Sequence, residues 1–222
     1  MNAEWEKKYD LLEEQIKGID LDSLPIIINE KMPEWLDNSQ KAYYPIIKSS
    51  SGASISIHPT EIYVYGKTLL NYTKQEQMNG LTYIQRLFKI WDIVCRRLTY
   101  RTDTAGEDWQ FPSATWFLKE GDCEDGTNLF VTLCMISGIP SNRVFNVCGR
   151  IGDRETGYGH SFPIVWLPKG EWGEEGWYIM ETTLNSATGI MPMKFYGSYY
   201  YGDWGAANWH HQGKINDDSG QV

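Results

Sequence analysis

What this sequence lacks narrows it first. It has four cysteines, Cys95, Cys123, Cys134 and Cys148, and none are spaced C-x-x-C. That argues against a zinc ribbon or a thioredoxin-type site. Cys123 and Cys134, if on one helix, would stand roughly 16 Å apart, too far to bridge. All four are therefore expected as reduced thiols of a cytoplasmic protein. No run of about 18 apolar residues is present, so no membrane span is expected. The stretch MNAEWEKKYDLLEEQIKGID carries no apolar segment after a basic start, so no signal peptide is expected; a viral or lysis-released protein without a signal would look the same. Basic charge is in short supply, 20 Lys and Arg against 29 Asp and Glu, net −9. That argues against a general affinity for nucleic acid or an anionic membrane. No internal repeat or low-complexity tract is visible.

What is present is an ordinary globular composition, 41% hydrophobic and 22% charged over 222 residues, enough for one sizeable domain with a small extension. Trp5, Tyr9, Leu12 and Ile16 recur at helical spacing and predict a helix over residues 3–17. Pro25, Pro33 and Pro45 then break the chain into short helices and loops, and ISIHPTEIYVYG reads as a short strand or hairpin arm. From Asn79 a second helix is expected, with Leu81, Ile84, Leu87, Phe88, Trp91, Val94, Cys95 and Leu98 as a core-facing stripe. Cys95 on that stripe reads as packing. RTDTAGEDWQFPSATWFLKEG reads as a loop. A third helix is expected from Cys123, with Asp122 and Asp125 as a capping box, Leu129, Leu133 and Ile136 on one face, and Gly138 and Pro140 as the stop. The period then changes to two. RVFNVCGRI, GHSFPIVWL and GWYIMETTL read as antiparallel strands separated by turns. The expected class is α+β, with the Cys123 helix packed on the sheet.

Three positions in that scheme carry chemistry. Cys123 falls at a helix start, His160 at the start of a strand, and Glu181 near the end of the next strand. Neighbouring antiparallel strands bring His160 and Glu181 side by side, and a helix start against the same sheet lets the thiol meet the imidazole. That makes a Cys–His–carboxylate triad. The helix N-terminus favours the thiolate and offers N–H groups to an oxyanion. His160 is the expected base, and Glu181 holds its tautomer. Asp122, Glu124 and Asp125 oppose this, since each raises the pKa of a neighbouring thiol. Without a fold, each residue also has a plain reading: a structural cysteine, a polar surface histidine, a solvated glutamate.

The ordered set Trp109, Pro112, Thr115, Gly121-Asp122-Cys123-Glu124-Asp125, Gly138-Ile139-Pro140, Gly159-His160 and Glu181-Thr182 resembles the transglutaminase-like superfamily of papain-like thiol enzymes. More narrowly it is similar to the transglutaminase-like cysteine peptidases of bacteria, archaea and phages. The resemblance spans about residues 80–185. It implies a papain-like core, the nucleophile helix packed on an antiparallel sheet, with Cys123 as nucleophile, His160 as base and Glu181 as third member. It divides the chain into an N-terminal helical extension (1–78), a catalytic core (79–185) and an aromatic-rich C-terminal segment (186–222). Three departures stand out. Glu181 replaces the usual Asp, Ser161-Phe162 replaces Ala-Trp, and Gly126-Thr127 replaces a more apolar pair, which would open space beside Cys123. Related enzymes complete the oxyanion hole with an upstream Gln or Trp side chain, so Gln110 and Trp109 are the candidates. A subset is calcium-dependent, which makes Asp122, Glu124 and Asp125 candidate ligands; capping is the preferred reading, with no cofactor required.

FYGSYYYGDWGAANWHH packs seven aromatics into Phe195–Trp209. It reads either as a substrate platform or as a cap over exposed sheet. Tyr199 and Trp204 within it, with Trp116 and Tyr158, are the candidate substrate contacts. His58, His210 and His211 read as surface. The expected function is a thiol hydrolase cleaving a peptide or isopeptide bond in a peptide or protein, cell-wall peptide included. Its alternatives are a protein-glutamine amine transferase with the same triad and a non-catalytic binding domain of the same fold.

Overall fold

The computed structural model describes residues 62–63, 65–75, 78, 80–103, 109–153, 155–184 and 200–209, with the strand segments 36–37, 46–48, 54–56, 190–192 and 212–215. The expected helix over 3–17 and the positions His58, Tyr199, His210 and His211 lie outside these, as does the side chain of Trp204. No described helix is long and apolar enough to cross a membrane.

Helix α1 spans Lys67–Gln75 and α2 spans Tyr83–Arg97. α2 starts later than expected because Thr82 caps it. Its hydroxyl accepts from Gln85 N–H at 3.2 Å, and the Gln85 side chain accepts from Thr82 N–H at 2.8 Å, so two orphan donors are satisfied reciprocally. The stripe Ile84, Leu87, Ile90, Trp91, Val94 and Cys95 is buried.

The segment expected as loop, 101–121, holds a helix and a strand among its described residues. Strand β4 (Thr99–Tyr100) pairs in parallel with β5 (Glu120–Gly121), and α3 (Pro112–Leu118) lies between them. α3 was not legible because it has seven residues, too short for periodicity to register. Pro112 opens it, preset for the first turn, and Lys119, in the left-handed region at φ 61°, closes it.

α4 (Cys123–Ile136) follows at once. It is buried on every side from Glu124 to Cys134, not on one face as expected. One side packs on the sheet strands β6 (Val144–Ile151) and β7 (Tyr158–Leu167), and the other on α2 and α3. Burying Leu129, Phe130 and Leu133 contributes about 1.5–3 kcal/mol each. Gly126 sits where α4 approaches the chain after β8. A Cβ there would lie 3.3 Å from Thr182 Oγ1 and 3.5 Å from Leu98. The small residue thus serves a close approach and opens no space beside Cys123.

The main sheet has the order β1-β11-β10-β6-β7-β8-β9, with antiparallel neighbours throughout. Its strands are β1 (Leu36–Asp37), β6 (Val144–Ile151), β7 (Tyr158–Leu167), β8 (Gly176–Met180), β9 (Ile190–Pro192), β10 (Tyr200–Ala207) and β11 (Gln212–Ile215). A separate hairpin joins β2 (Ile46–Lys48) to β3 (Ser54–Ser56). The expected strands β6, β7 and β8 fall where alternation placed them. The aromatic-rich segment does more than cap. It supplies β10, which pairs with β6. Away from α4, Phe145, Val147, Phe162, Ile164, Ile179 and Ala206 form a cluster with Trp177 and Tyr200 against it.

Candidate active site

Cys123 is the first residue of α4, half-buried. The turn before it is built around Asp125. That carboxylate is 1% exposed, accepts from the N–H of Asp122 at 3.3 Å and of Gln110 at 2.8 Å, and from Gln110 Nε2 at 2.8 Å. Asp122 and Asp125 form the expected capping box. Gly121 is required by the same carboxylate, because a Cβ there would stand 2.6 Å from Asp125 Cβ and Oδ2. Burial pushes Asp125 up to about 7, offset in part by the Gln110 N–H and reinforced by the charge of Asp122.

His160 and Glu181 meet. His160 Nε2 and Glu181 Oε2 are 2.8 Å apart, with the residues 6% and 5% exposed. The β7–β8 register pairs Ile164 with Ile179. Continued past β8, it puts His160 level with residue 183, so Glu181 reaches it on the diagonal. The extra methylene of Glu over Asp suits that longer reach.

Glu181 is the most heavily held group of the site. Oε1 accepts from Thr182 N–H (2.9 Å), Thr183 N–H (3.0 Å) and Thr183 Oγ1–H (2.8 Å), and Oε2 from the Tyr200 hydroxyl at 3.1 Å. Its backbone carbonyl takes Trp91 Nε1–H at 2.7 Å and the Cys95 thiol at 3.5 Å. Burial alone would raise this carboxyl. The hydrogen bond and charge of His160, with the Thr183 donors, outweigh it and hold Glu181 at about 2.

Cys123 and His160 make no hydrogen bond with each other here. The thiol donates to Glu124 Oε2 at 3.2 Å, and the Ser161 backbone, next to His160, stands close enough to the sulfur to favour the thiolate. Burial first, then Glu124 and Asp122, outweigh that and push the thiol well above its usual range. Burial and the Asp122 side chain also raise Glu124, to about 9. Glu124 therefore holds its proton at neutral pH, which reduces the negative collar by one charge. Below the site lies a buried polar chain. Ser161 Oγ–H donates to Asn146 Oδ1 at 2.8 Å, Asn146 Nδ2 to Asn128 Oδ1 at 2.8 Å, and Thr127 Oγ1–H to the Ser161 carbonyl at 3.1 Å.

The other sequence candidates fare differently. Gln110 Nε2 is directed at Asp125 and, at 3.4 Å, the Glu120 carbonyl, so its amide braces the helix start rather than facing an oxyanion. Trp109 is buried. Trp116 is placed in the interior. It is 6% exposed, packed on Tyr72 at 4.3 Å between centroids and covered by the Arg97 guanidinium at 3.6 Å. Tyr158 is open, at 63% exposure. Sequence reasoning missed Trp91, Thr183 and Tyr200 as holders of Glu181. For Trp91 a signal existed, an indole N–H on a buried stripe that needs an acceptor. For Tyr200 none singled it out among the tail aromatics.

The model of the transglutaminase-like superfamily matches residues 68–182 of this chain, a span that contains Cys123, His160 and Glu181. No curated protein matches the chain. Among solved structures it is similar to LapG of Legionella pneumophila, at 15% identity over 73% of this chain and 91% of that one, with a TM-score of 0.48. The calcium-bound form of LapG gives 14% identity over 66% and 74%, also at 0.48.

Proposed function

The chain belongs to the transglutaminase-like superfamily, and from that premise we propose that it is a thiol hydrolase that cleaves an amide bond in a peptide or protein through a Cys123 thioester. The observation that carries this reading is the buried His160–Glu181 pair, 2.8 Å apart, one residue from the Ser161 backbone that reaches the Cys123 sulfur. A buried carboxylate with this many donors is fixed in place, and a fixed carboxylate can orient an imidazole.

With Nε2 committed to Glu181, Nδ1 of His160 is the nitrogen that takes the thiol proton. The thiol must first leave its hydrogen bond to Glu124. The thiolate then attacks the substrate carbonyl, and its new oxyanion is met by the N–H of Cys123 at the helix start, with Trp109 retained as candidate second donor. His160 returns the proton to the departing amine, leaving a thioester. Water, deprotonated by His160, attacks that thioester, and the acid leaves as the thiol reforms.

The calcium dependence implied for part of this family can be weighed on the donor set. Among the described residues, Asp122, Cys123 and Glu124 bring ligand atoms within 4.8 Å of one another. Glu124 is 4% exposed, and its Oε1 has no hydrogen-bond partner. Two converging carboxylates suit a hard cation. Asp122 and Glu124 would hold it, while Asp125 is engaged in the cap. Such an ion supplies positive charge beside the thiolate, in place of the proton on Glu124.

The test is covalent labelling with a thiol-reactive peptide probe. Cys123→Ala should abolish it, and Cys134→Ala, at a fully buried site, should leave it intact. Undiminished labelling of Cys123→Ala would sink the nucleophile assignment.

A further inference from the structure

Strand β4 is a two-residue strand that, among the described residues, pairs on one side, with β5. Thr99 and Arg101 direct their N–H groups to the carbonyls of Lys119 and Gly121, each at 2.9 Å. Alternate residues of a strand point their backbone groups to opposite edges, so the N–H and C=O of Tyr100, between them, face outward. Both residues of β4 are exposed, Tyr100 at 47%. Outward-facing N–H and C=O groups can pair with another extended chain, and at two residues β4 offers that chain the hydrogen bonds of one residue, Tyr100.

This edge is not remote from the chemistry. Tyr100 stands opposite Gly121, two residues before Cys123. Its ring lies within electrostatic reach of Asp122, Cys123, Glu124 and the Tyr158 ring. Tyr158, open to solvent, is two residues before His160 on β7. Two exposed tyrosines thus flank the site, one on the strand beside the nucleophile and one on the strand of the base.

We infer that the outer edge of β4 is the substrate-binding strand. An extended polypeptide adds to it as a further strand, pairing its backbone with the N–H and C=O of Tyr100 and carrying its scissile amide to Cys123. The inference rests on Cys123 being the nucleophile, and it narrows the substrate class to a chain segment that can lie extended for several residues. Small amides, and branched links without such a segment, are excluded. At about 3.3 Å per residue, the residue that pairs with Tyr100 lies about two positions from the scissile carbonyl. Recognition then comes mainly from main-chain hydrogen bonds, with the two tyrosine rings as side walls.

A library of acetyl-tripeptidyl chloromethyl ketones, varied at each position, tests this on the full chain, with chloroacetamide as the reagent that cannot form a strand. The best tripeptides should inactivate faster than chloroacetamide. N-methylation of one particular amide of the best probe should slow it about tenfold, the loss of one well-formed hydrogen bond, while methylation of the adjacent amide should not. Tyr100→Pro removes the outward N–H together with the ring, so Tyr100→Ala, which removes the ring and keeps the N–H, is its control; Tyr100→Pro should lower the tripeptide rate relative to chloroacetamide about tenfold below that control. If that variant does not fold, the methylation scan on the unaltered chain decides alone. Tripeptides no faster than chloroacetamide, or a flat methylation scan, overturn the inference. If Cys123→Ala is still alkylated at the wild-type rate, the nucleophile assignment itself has failed; if it is silent while the scan is flat, only the strand has.

Discussion

Glu181→Gln is the most informative single change, because it keeps the shape of the side chain and removes its charge. In the fold the carboxyl is held at about 2 instead of the usual 4.5. Each pH unit of such a difference is worth about 1.4 kcal/mol. A depressed carboxylate contributes stability that is fully present above the unfolded-state value and is lost as the pH falls through the folded one. For Glu181 the window therefore runs from about pH 5 down to pH 2. The loss should reach about 2 kcal/mol by pH 3 and about 3 kcal/mol by pH 2. At 5% exposure little solvent screening reduces it. Glu124 and Asp125 are shifted the other way, but both proteins share them, so they cancel in a comparison. Urea denaturation of the two proteins at steps between pH 6 and pH 2.5 reads the difference directly. Wild type should be the more stable at pH 6, and its advantage should shrink steadily below pH 5. A difference that stays constant across that range would refute the account of how Glu181 is held.

Further perturbations separate the parts of the site. Tyr200→Phe keeps the ring against Phe162, 4.8 Å away, and deletes the donor to Glu181 Oε2. It should cost about 1 kcal/mol at pH 7 and slow Cys123 alkylation by the peptide probe; a variant unchanged in both would show the hydroxyl to be dispensable. Asn146→Ala strands Ser161 Oγ and Asn128 Oδ1 in the interior and should cost about 3 kcal/mol by the same denaturation assay, whereas a loss below 1 kcal/mol would mean that water replaces the amide. Calcium against EGTA should raise the thermal midpoint of the wild type, and Glu124→Gln should remove that rise. Identical midpoints with and without calcium in the wild type would leave the Asp122–Glu124 pair to protons alone.

The acids around Cys123 turn out to have separate tasks. Asp125 is spent on backbone N–H groups and Gln110, Glu124 accepts the thiol proton's hydrogen bond, and burial, with Asp122 beside it, raises Glu124. The resting thiol is consequently protected as a neutral group. On the proposed mechanism its activation is a change of partner, from Glu124 to His160.

The sequence by itself determined the strongly periodic parts and their punctuation. The stripe of α2, the capping box of Asp122 and Asp125, the Gly138 stop and the alternation in β6, β7 and β8 are local. Each depends on neighbours within about one turn of helix or a few residues of strand, and such neighbours are visible in a linear text. The motif residues Cys123, His160 and Glu181 were visible for the same reason, since each marks an element boundary. Only the tertiary structure decided the rest. α4 is buried all round because β6 and β7 cover one side while α2 and α3 cover the other, and no period within the helix records what lies on its far face. Trp91 and Tyr200 converge on Glu181 from two separate stretches. β10 enters the sheet beside β6 from some fifty residues away in the chain. β4 finds its partner β5 some twenty residues along the chain, beyond α3. Contacts of this kind are settled when distant segments compete to bury surface and satisfy hydrogen bonds, and that competition leaves no local mark on the residues that win it.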